Sequence, residues 1–569
     1  MRRESLQMQN SKQIRLKNEL PFTGIISSLN SLPPLRVGAV VFVLFIAVSI
    51  LVSVFHEPWL DEAQSWLIAR DASYYDMIFK LPHIEGHIPF WWLLLSIPAK
   101  LGVPYEIGLK SVNLLISYFV CAFFLFRSPF PNSIKIFFPF TFFFLYQYTI
   151  VARPYMLLVG ALFLVAGSFK TRNDKPVRFF ASLLLLCLTD TFGIAIAGGI
   201  AAGWVIDIIR QNKGSFTGIW SHYRKSIICL MILLISAAIL MLAIVPDENA
   251  LGLERLSEKN YFISFLSEIF IIPSELCFTS FAGYGYLSLL SLPVTEIIIV
   301  SVLSTVIWAF FIRLFIRKDI LTDTICPILT FMALGAFHIN SHHYGIFLMI
   351  GIYCAWISLD TKKDPGKSSK YAPYIGWCGG LLCFVSLGIG IMWSTFSIMT
   401  DIQYPYWISR DLYQWIDENS LESYKWLAVW EVNASEDGSA IADQNTAFIE
   451  ISIPVNPYFD GPLPLNYNNE GTSYALFRDN TDQQDQTNIK DWKEYGEPDF
   501  ILCCDTLTAA LIINEMGYTS NYDIVYIKEA RHAWKGGFNK CGAIVLLRRD
   551  SHIDLTADLN DYDDLVGRG

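Results

Sequence analysis

Charge is scarce in this chain. Asp, Glu, Lys and Arg make up 17% of its 569 residues, against about 25% in soluble domains. That shortage, with 53% hydrophobic residues, excludes an ordinary soluble globular protein. Other signals are missing too. There is no CxxC pair and no spacing of cysteine and histidine that would hold a structural zinc. There is no GxxxxGK[ST] loop to cradle a nucleotide phosphate. No internal repeat is visible, which counts against the repeat architecture of many transporters. The chain does not open like a cleaved signal peptide, because mostly polar residues fill positions 1–36 before the first apolar run. That run is therefore expected to stay as an anchor.

Long apolar runs recur between residues 37 and 399. A helix of about 20 residues spans a hydrocarbon core, and many of these runs reach that length. Lys and Arg concentrate in cytoplasmic loops. Arg2, Arg3, Lys12, Arg15, Lys17 and Arg36 place segment 1–36 inside. Basic clusters at 170–178, 210–225, 313–318 and 362–370 mark further inside loops. The same parity places loops 56–87 and 246–280 outside, with a hairpin tip near Thr189–Gly193. Four apolar runs near 88–101, 107–126, 133–151 and 153–169 resist this scheme, since parity demands an odd number. The pair divided at Arg153-Pro154 is the expected exception, because proline breaks the helical ladder; Arg153 would then line an outer cavity. The count is about 11 crossings, with 13 as the alternative.

Past the membrane module, 37–400, the composition changes. Acidic residues dominate from Asp401 onward and leave the preceding part net positive, a balance that argues against nucleic-acid binding. Residues 401–550 read as an extracytoplasmic α/β domain, and 551–569 as a disordered acidic tail. Strands are expected at 425–430, 447–453, 499–504, 522–527 and 543–547, and helices at 411–418 and 507–516. Most of the eleven cysteines lie in apolar runs and read as small core residues. Cys503, Cys504 and Cys541 fall in the soluble domain, where a disulfide from Cys541 to one of the pair is open in an oxidising compartment.

The strongest signal follows the first span. FHEPWLDEAQSWLIARD, from Phe55 to Asp71, is too polar for lipid and too aromatic for a linker. Trp59, Ala63, Trp66 and Leu67 make a helical apolar stripe suited to the membrane surface. Asp61 and Glu62 begin that helix. They read either as a cap and a dipole partner or as a carboxylate pair taking a proton from an acceptor hydroxyl. His83, Glu85 and His87 could ligate a divalent cation, hydrogen-bond a substrate or form a polar turn. Asp190 in LTDTFG reads equally as an N-cap and as an ionisable group with a task inside an apolar stretch. His338, His342 and His343 crowd one span end. Glu254, Arg255, Glu258 and Lys259 look like a solvated helix face.

WLDEAQSWLIARD, the EGHIPFWWLLL that follows, ARPYMLL at 152–158 and SHHYGIFLMI at 341–350 together resemble the GT-C superfamily of glycosyltransferases. The nearest likeness is to family 39-like and ArnT-like membrane enzymes that use polyprenyl-phosphate sugars. The resemblance covers roughly residues 37–360. It implies Asp61 as the catalytic carboxylate, Glu62 as its acidic neighbour, Arg153 at the donor phosphate and Tyr155 beside it. His343 falls at the family's late-span histidine, and His342 stands where the family has arginine. It also implies a polyprenyl-phosphate sugar donor, an inverting attack and a multi-pass location in the cell membrane. The acceptor class and the sugar are left open. So are two other classes: a transporter or flippase, and a non-catalytic cell-envelope assembly protein.

Overall fold

The computed structural model describes residues 21–247, 260–281, 283, 291–361, 372–429, 449–464, 472–477, 494–504, 506–555 and 557–559. The expected solvated face at 254–259 lies outside them. Among the described residues, seven helices are long and apolar enough to cross a membrane, and four shorter apolar helices of 10–17 residues stand with them. The protein is thus a polytopic helical body followed by a small sheet domain.

The first long helix, α1 (Pro34–Phe55), starts with proline where the missing N–H costs nothing. It buries Val37, Val41, Phe45, Ser49 and Val52 at helical spacing. Its opposite face exposes Val40, Val43, Leu51 and Val54, as a lipid-facing helix does. Next come α2 (Leu60–Asp71), α3 (Phe90–Lys100) and α4 (Tyr105–Arg127). A fully buried π-helix, Phe142–Ile150, precedes α5 (Tyr155–Phe169). The body continues with α6 (Pro176–Cys187), α7 (Thr191–Gln211), α8 (Phe216–Ala243), α9 (Tyr261–Phe270) and α10 (Ile272–Cys277). It closes with α11 (Val294–Lys318), α12 (Leu321–Gly335), α13 (Tyr344–Asp360) and α14 (Ala372–Gln403). Helices α7 and α12 approach so closely that a Cβ on Gly199 would lie 2.5 Å from Pro327 Cα, the small-residue contact common between membrane helices.

Of the four runs, 107–126 forms a helix long and apolar enough to cross, Tyr105–Arg127, and 153–169 a shorter apolar helix, Tyr155–Phe169, while 88–101 forms only the 11-residue α3. At 1.5 Å per residue, the 11 residues of α3 cover only about 16 Å, too little for a core of about 30 Å. Its C-terminal Lys100 ammonium donates to the carbonyls of Arg70 and Ala72 on α2. The start of α4 is held at the same level, with the Lys110 ammonium on the Ser53 and His56 carbonyls. The C-terminal end of α3 and the start of α4 therefore lie beside the ends of α1 and α2.

The sheet domain sits beside those same ends. After α15 (Ser409–Glu418), strands β1 (Trp426–Val429), β2 (Phe500–Cys503), β3 (Tyr522–Trp534) and β4 (Gly537–Arg548) make one sheet of order β1-β2-β4-β3. Strands β1 and β2 are parallel, and the other pairs antiparallel. Helix α16 (Thr506–Met516) follows β2. The strand expected at 447–453 is instead a short helix, Ile449–Ser452, over its described part. The hairpin strands run longer than their apolar cores implied. The start of the expected disordered tail is placed: the Asp558 N–H donates to Val525, and its carbonyl accepts from Ile527. Among the described residues no two cysteines form a disulfide.

The domain rests on α2. The stripe Ala63, Trp66 and Leu67, expected to face the membrane surface, packs instead against α3, Ile453, Tyr474 and Ala475. The Gln64 side chain both donates to the Ala475 carbonyl and accepts from its N–H, at 2.8 and 3.0 Å.

Candidate active site

Helix α2 begins after Trp59 in an extended conformation, and its second and third residues are Asp61 and Glu62. Adjacent helical positions diverge by about 100°, so the two carboxylates take different surroundings. Glu62 is 0% exposed. It accepts from the Trp59 N–H at 3.1 Å and the Ala152 N–H at 2.6 Å, and His56 Nε2 lies 3.4 Å away. The other His56 nitrogen meets Asp401 at 2.9 Å, and the Tyr146 hydroxyl donates to Asp401 at 2.8 Å. Burial alone would lower the His56 pKa, but the hydrogen bonds and charges of Asp401 and Glu62 outweigh it and raise it to about 9. Glu62 is thus one member of a closed, buried network that fastens the turn at Ala152 to the start of α2.

That fastening presents Arg153 to Asp61. The guanidinium reaches the Asp61 carboxylate at 2.7 Å. It lies over the Tyr155 ring at 4.9 Å and near the Trp59 ring at 5.7 Å, so its plane is held by aromatic faces. Asp61 keeps 37% of its side chain exposed. Asp61, Gln64 and Ser65, at i, i+3 and i+4 on one helix face, line a cavity of about 50 Å³. The rest of its wall includes Glu85, His87, Trp91, Trp92, Arg153, Thr189 and Asp190.

Two more carboxyls in that wall are pushed toward their neutral forms. Burial raises Glu85 to about 8 against the pull of the Gln64 amide, which donates to it at 2.9 Å. Burial also raises Asp190, with His87 and Arg153 acting the other way. Asp190 is the N-cap of α7, one oxygen accepting from the Phe192 N–H at 2.9 Å, and it also lines the cavity.

Several sequence candidates are placed elsewhere. His83 meets the Val245 carbonyl at 2.7 Å and lies off the cavity wall. Among the described residues no three His, Cys, Asp or Glu side chains come together as a metal site. His342 and His343 stand behind Tyr155, with ring centroids 5.8 and 5.6 Å from its own. The Tyr148 hydroxyl donates to the His342 carbonyl, and His343 Nδ1 accepts from the Asn340 N–H. Both histidines support the aromatic layer beneath Arg153.

Four contributors were missed in the sequence: His56, Gln64, Tyr146 and Asp401. Asp401 carried a signal, as an ionisable residue at the end of an apolar span. Gln64 could have been found as the helical neighbour of Asp61. Nothing in sequence joined Tyr146 to either.

No family model and no curated protein matches the sequence. The chain is similar in fold to ArnT. The crystal structure of ArnT from Cupriavidus metallidurans bound to undecaprenyl phosphate overlaps 90% of this chain and 99% of its own, with 13% identity and a TM-score of 0.45. The apo state of the same protein overlaps 89% and 97%, with 12% identity and a TM-score of 0.40. These overlaps are loose, and the chemistry below rests on the residues of this chain.

A second cavity, of about 340 Å³, borders the π-helix. Its wall is almost wholly apolar, with Phe130, Phe138, Phe142, Phe143, Phe311 and Trp393 among its residues. Phe143 borders it, Tyr148 lies between Phe143 and Tyr155, and Tyr155 underlies Arg153. Three successive aromatic rings thus connect the apolar crevice to the arginine of the charged cavity.

Proposed function

We propose that the protein is a membrane glycosyltransferase that moves a sugar from a polyprenyl-phosphate carrier to a hydroxyl acceptor. The observation that carries this reading is the Asp61–Arg153 pair at 2.7 Å, half open to a polar cavity beside an apolar crevice. A lipid-linked sugar needs both environments. The crevice suits an isoprenoid chain, and ArnT, similar in fold, was crystallised with undecaprenyl phosphate, a lipid of that class.

The leaving group is a phosphate monoester, which departs as a stable anion without a strong acid. It needs fixed positive charge where negative charge builds, and Arg153, braced on Tyr155 and Trp59, supplies it. A phosphate drawn to the guanidinium competes with Asp61 and releases that carboxylate for its own task. Asp61 then takes the acceptor's proton as the acceptor oxygen bonds to the anomeric carbon. The carbon–oxygen bond to phosphate breaks, and its electron pair leaves with the phosphate. One displacement inverts the anomeric centre, by analogy with inverting glycosidases. Glu85 and Asp190, held toward neutrality, are suited to donate hydrogen bonds to sugar hydroxyls, with His87 at the cavity mouth. Glu62, sealed from the cavity, positions the site and exchanges no proton with substrate. No step requires a cation. The charge bias of the loops favours segment 1–36 in the cytoplasm, with the acceptor met on the other side.

The test is Asp61→Asn in purified full-length protein, read as release of free polyprenyl phosphate from a labelled polyprenyl-phosphate sugar. Loss of a general base is expected to slow release by about 10²–10⁴-fold with folding intact. Release at the wild-type rate removes Asp61 from the reaction and the proposal with it.

A further inference from the structure

The sheet domain sends one hairpin into the membrane body. Strands β3 and β4 join through Lys535 and Gly536, with Trp534 paired to Gly537. Gly536 takes φ +85°, which suits glycine, and a Cβ there would touch the Trp393 ring at 3.4 Å. His532 and Trp534 share a face of β3, and that face meets the helices. The Trp534 ring lies against Phe142 and Phe143, with centroids 5.2 and 6.2 Å apart. Lys535 is 1% exposed. Its ammonium donates to the Glu275 carbonyl at 2.6 Å, the Thr279 carbonyl at 3.2 Å and the Glu275 carboxylate at 3.3 Å, and lies 4.8 Å from the Trp393 ring. A hairpin tip that only decorated a soluble domain would keep its lysine in water. Here the charge is carried inside and given three oxygens, and burying it without them would be costly.

What the tip touches matters more than its burial. Phe142, Phe143 and Trp393 form part of the wall of the apolar crevice. Two residues back along the same strand, His532 Nε2 meets the Tyr406 hydroxyl at 2.7 Å, and its ring lies 5.1 Å from that of Trp59. Trp59 precedes α2 and flanks Arg153. Residues 532–535 therefore bear on the crevice wall and on the Asp61–Arg153 pair at once.

We propose that the β3–β4 hairpin is a positioning element of the donor site. Trp534 and Lys535 hold the rings that line the lipid crevice, and His532 holds, through Trp59, the arginine that faces the phosphate. This inference rests on the donor-lipid reading above. It gives the sheet domain a part in the reaction beyond presenting a surface to solvent.

The test uses full-length protein in detergent and undecaprenyl phosphate as the probe, measured by equilibrium binding. Lys535→Ala is expected to weaken binding about tenfold in monodisperse protein, and Lys535→Arg, which keeps a charged donor for the same oxygens, to retain most of it. His532→Ala is expected to lower kcat about tenfold at a nearly unchanged donor KM, the signature of a disturbed reacting geometry. His532→Gln, which keeps a hydrogen bond to Tyr406, is expected to restore most of that loss. Should Lys535→Ala yield no folded protein, the two His532 variants carry the test. Folded Lys535→Ala and His532→Ala variants that bind and turn over as wild type overturn this inference alone. Wild-type protein that does not bind the probe overturns the donor reading and this inference together.

Discussion

Asp61 and Glu62 are neighbours in sequence and opposites in surroundings. One opens to a cavity, and the other is closed in by Trp59, Ala152 and His56. The pair was legible as a pair, but the division of labour was not, because side-chain direction on a helix matters only once the packing partners are known. Arg153 raises a related point about kind. Its plane lies against Tyr155 and Trp59 while one arm reaches Asp61. Lysine keeps the charge and loses the planar fork. Arg153→Lys is expected to lower kcat/KM for a polyprenyl-phosphate sugar by about 10²-fold, since misplacement of roughly 1 Å has that effect. Steady-state kinetics of the purified variant checks this. His56 gives an expectation in pH. Its folded pKa, about 9, lies above its ordinary value of 6.5, so the folded state binds the proton more tightly. The stabilisation is complete below about pH 6.5 and is lost as pH rises through about 9. Thermal unfolding across pH 6–10 should show the midpoint falling over that window. His56→Gln should flatten that part of the profile.

At the scale of elements, the informative case is α3. Its composition reads as a membrane span, and the run 88–101 is apolar apart from Ser96 and Lys100. Length decides otherwise, together with Lys100, which ties its end back to α2. Labelling should see this directly. A cysteine at Leu101, 77% exposed, placed in a background lacking the exposed Cys378 and Cys383, should react with an impermeant reagent. It should do so from the same side as a cysteine in the sheet domain. Reaction from the opposite side would restore the fourth crossing. The π-helix is a second case. Sequence shows only an aromatic run. The wide π turn buries all nine of its residues and puts Phe142 and Phe143 on the apolar crevice, consistent with the placement of such segments at functional sites. The segment at 447–453 failed as a strand, since in its described part the apolar residues Ile449 and Ile451 belong to one helical turn.

The whole molecule behaves as one body in the region that matters. Arg410 of α15 pairs with Glu106 at the head of α4 at 2.5 Å and also donates to the His56 carbonyl, while the Tyr458 hydroxyl donates to the same Glu106. Arg410→Ala would leave Glu106 to Lys110 and Tyr458. The expected cost is about 2 kcal/mol, the scale of a hydrogen bond to a charged group, seen as a lower unfolding midpoint with a single transition. Two separated transitions would show instead that the sheet domain unfolds on its own.

The sequence by itself determined the membrane body, the attached acidic domain and the helix carrying Asp61. Each follows from local quantities: run length, charge bias and helical periodicity. The tertiary structure decided how short the helix at 90–100 is, which carboxylate meets the cavity, and how Tyr146, Asp401 and His532, far along the chain from His56 and Trp59, come to stand beside them. Those outcomes depend on which surfaces pack together, and packing is a property of pairs far apart in the chain that no local pattern encodes.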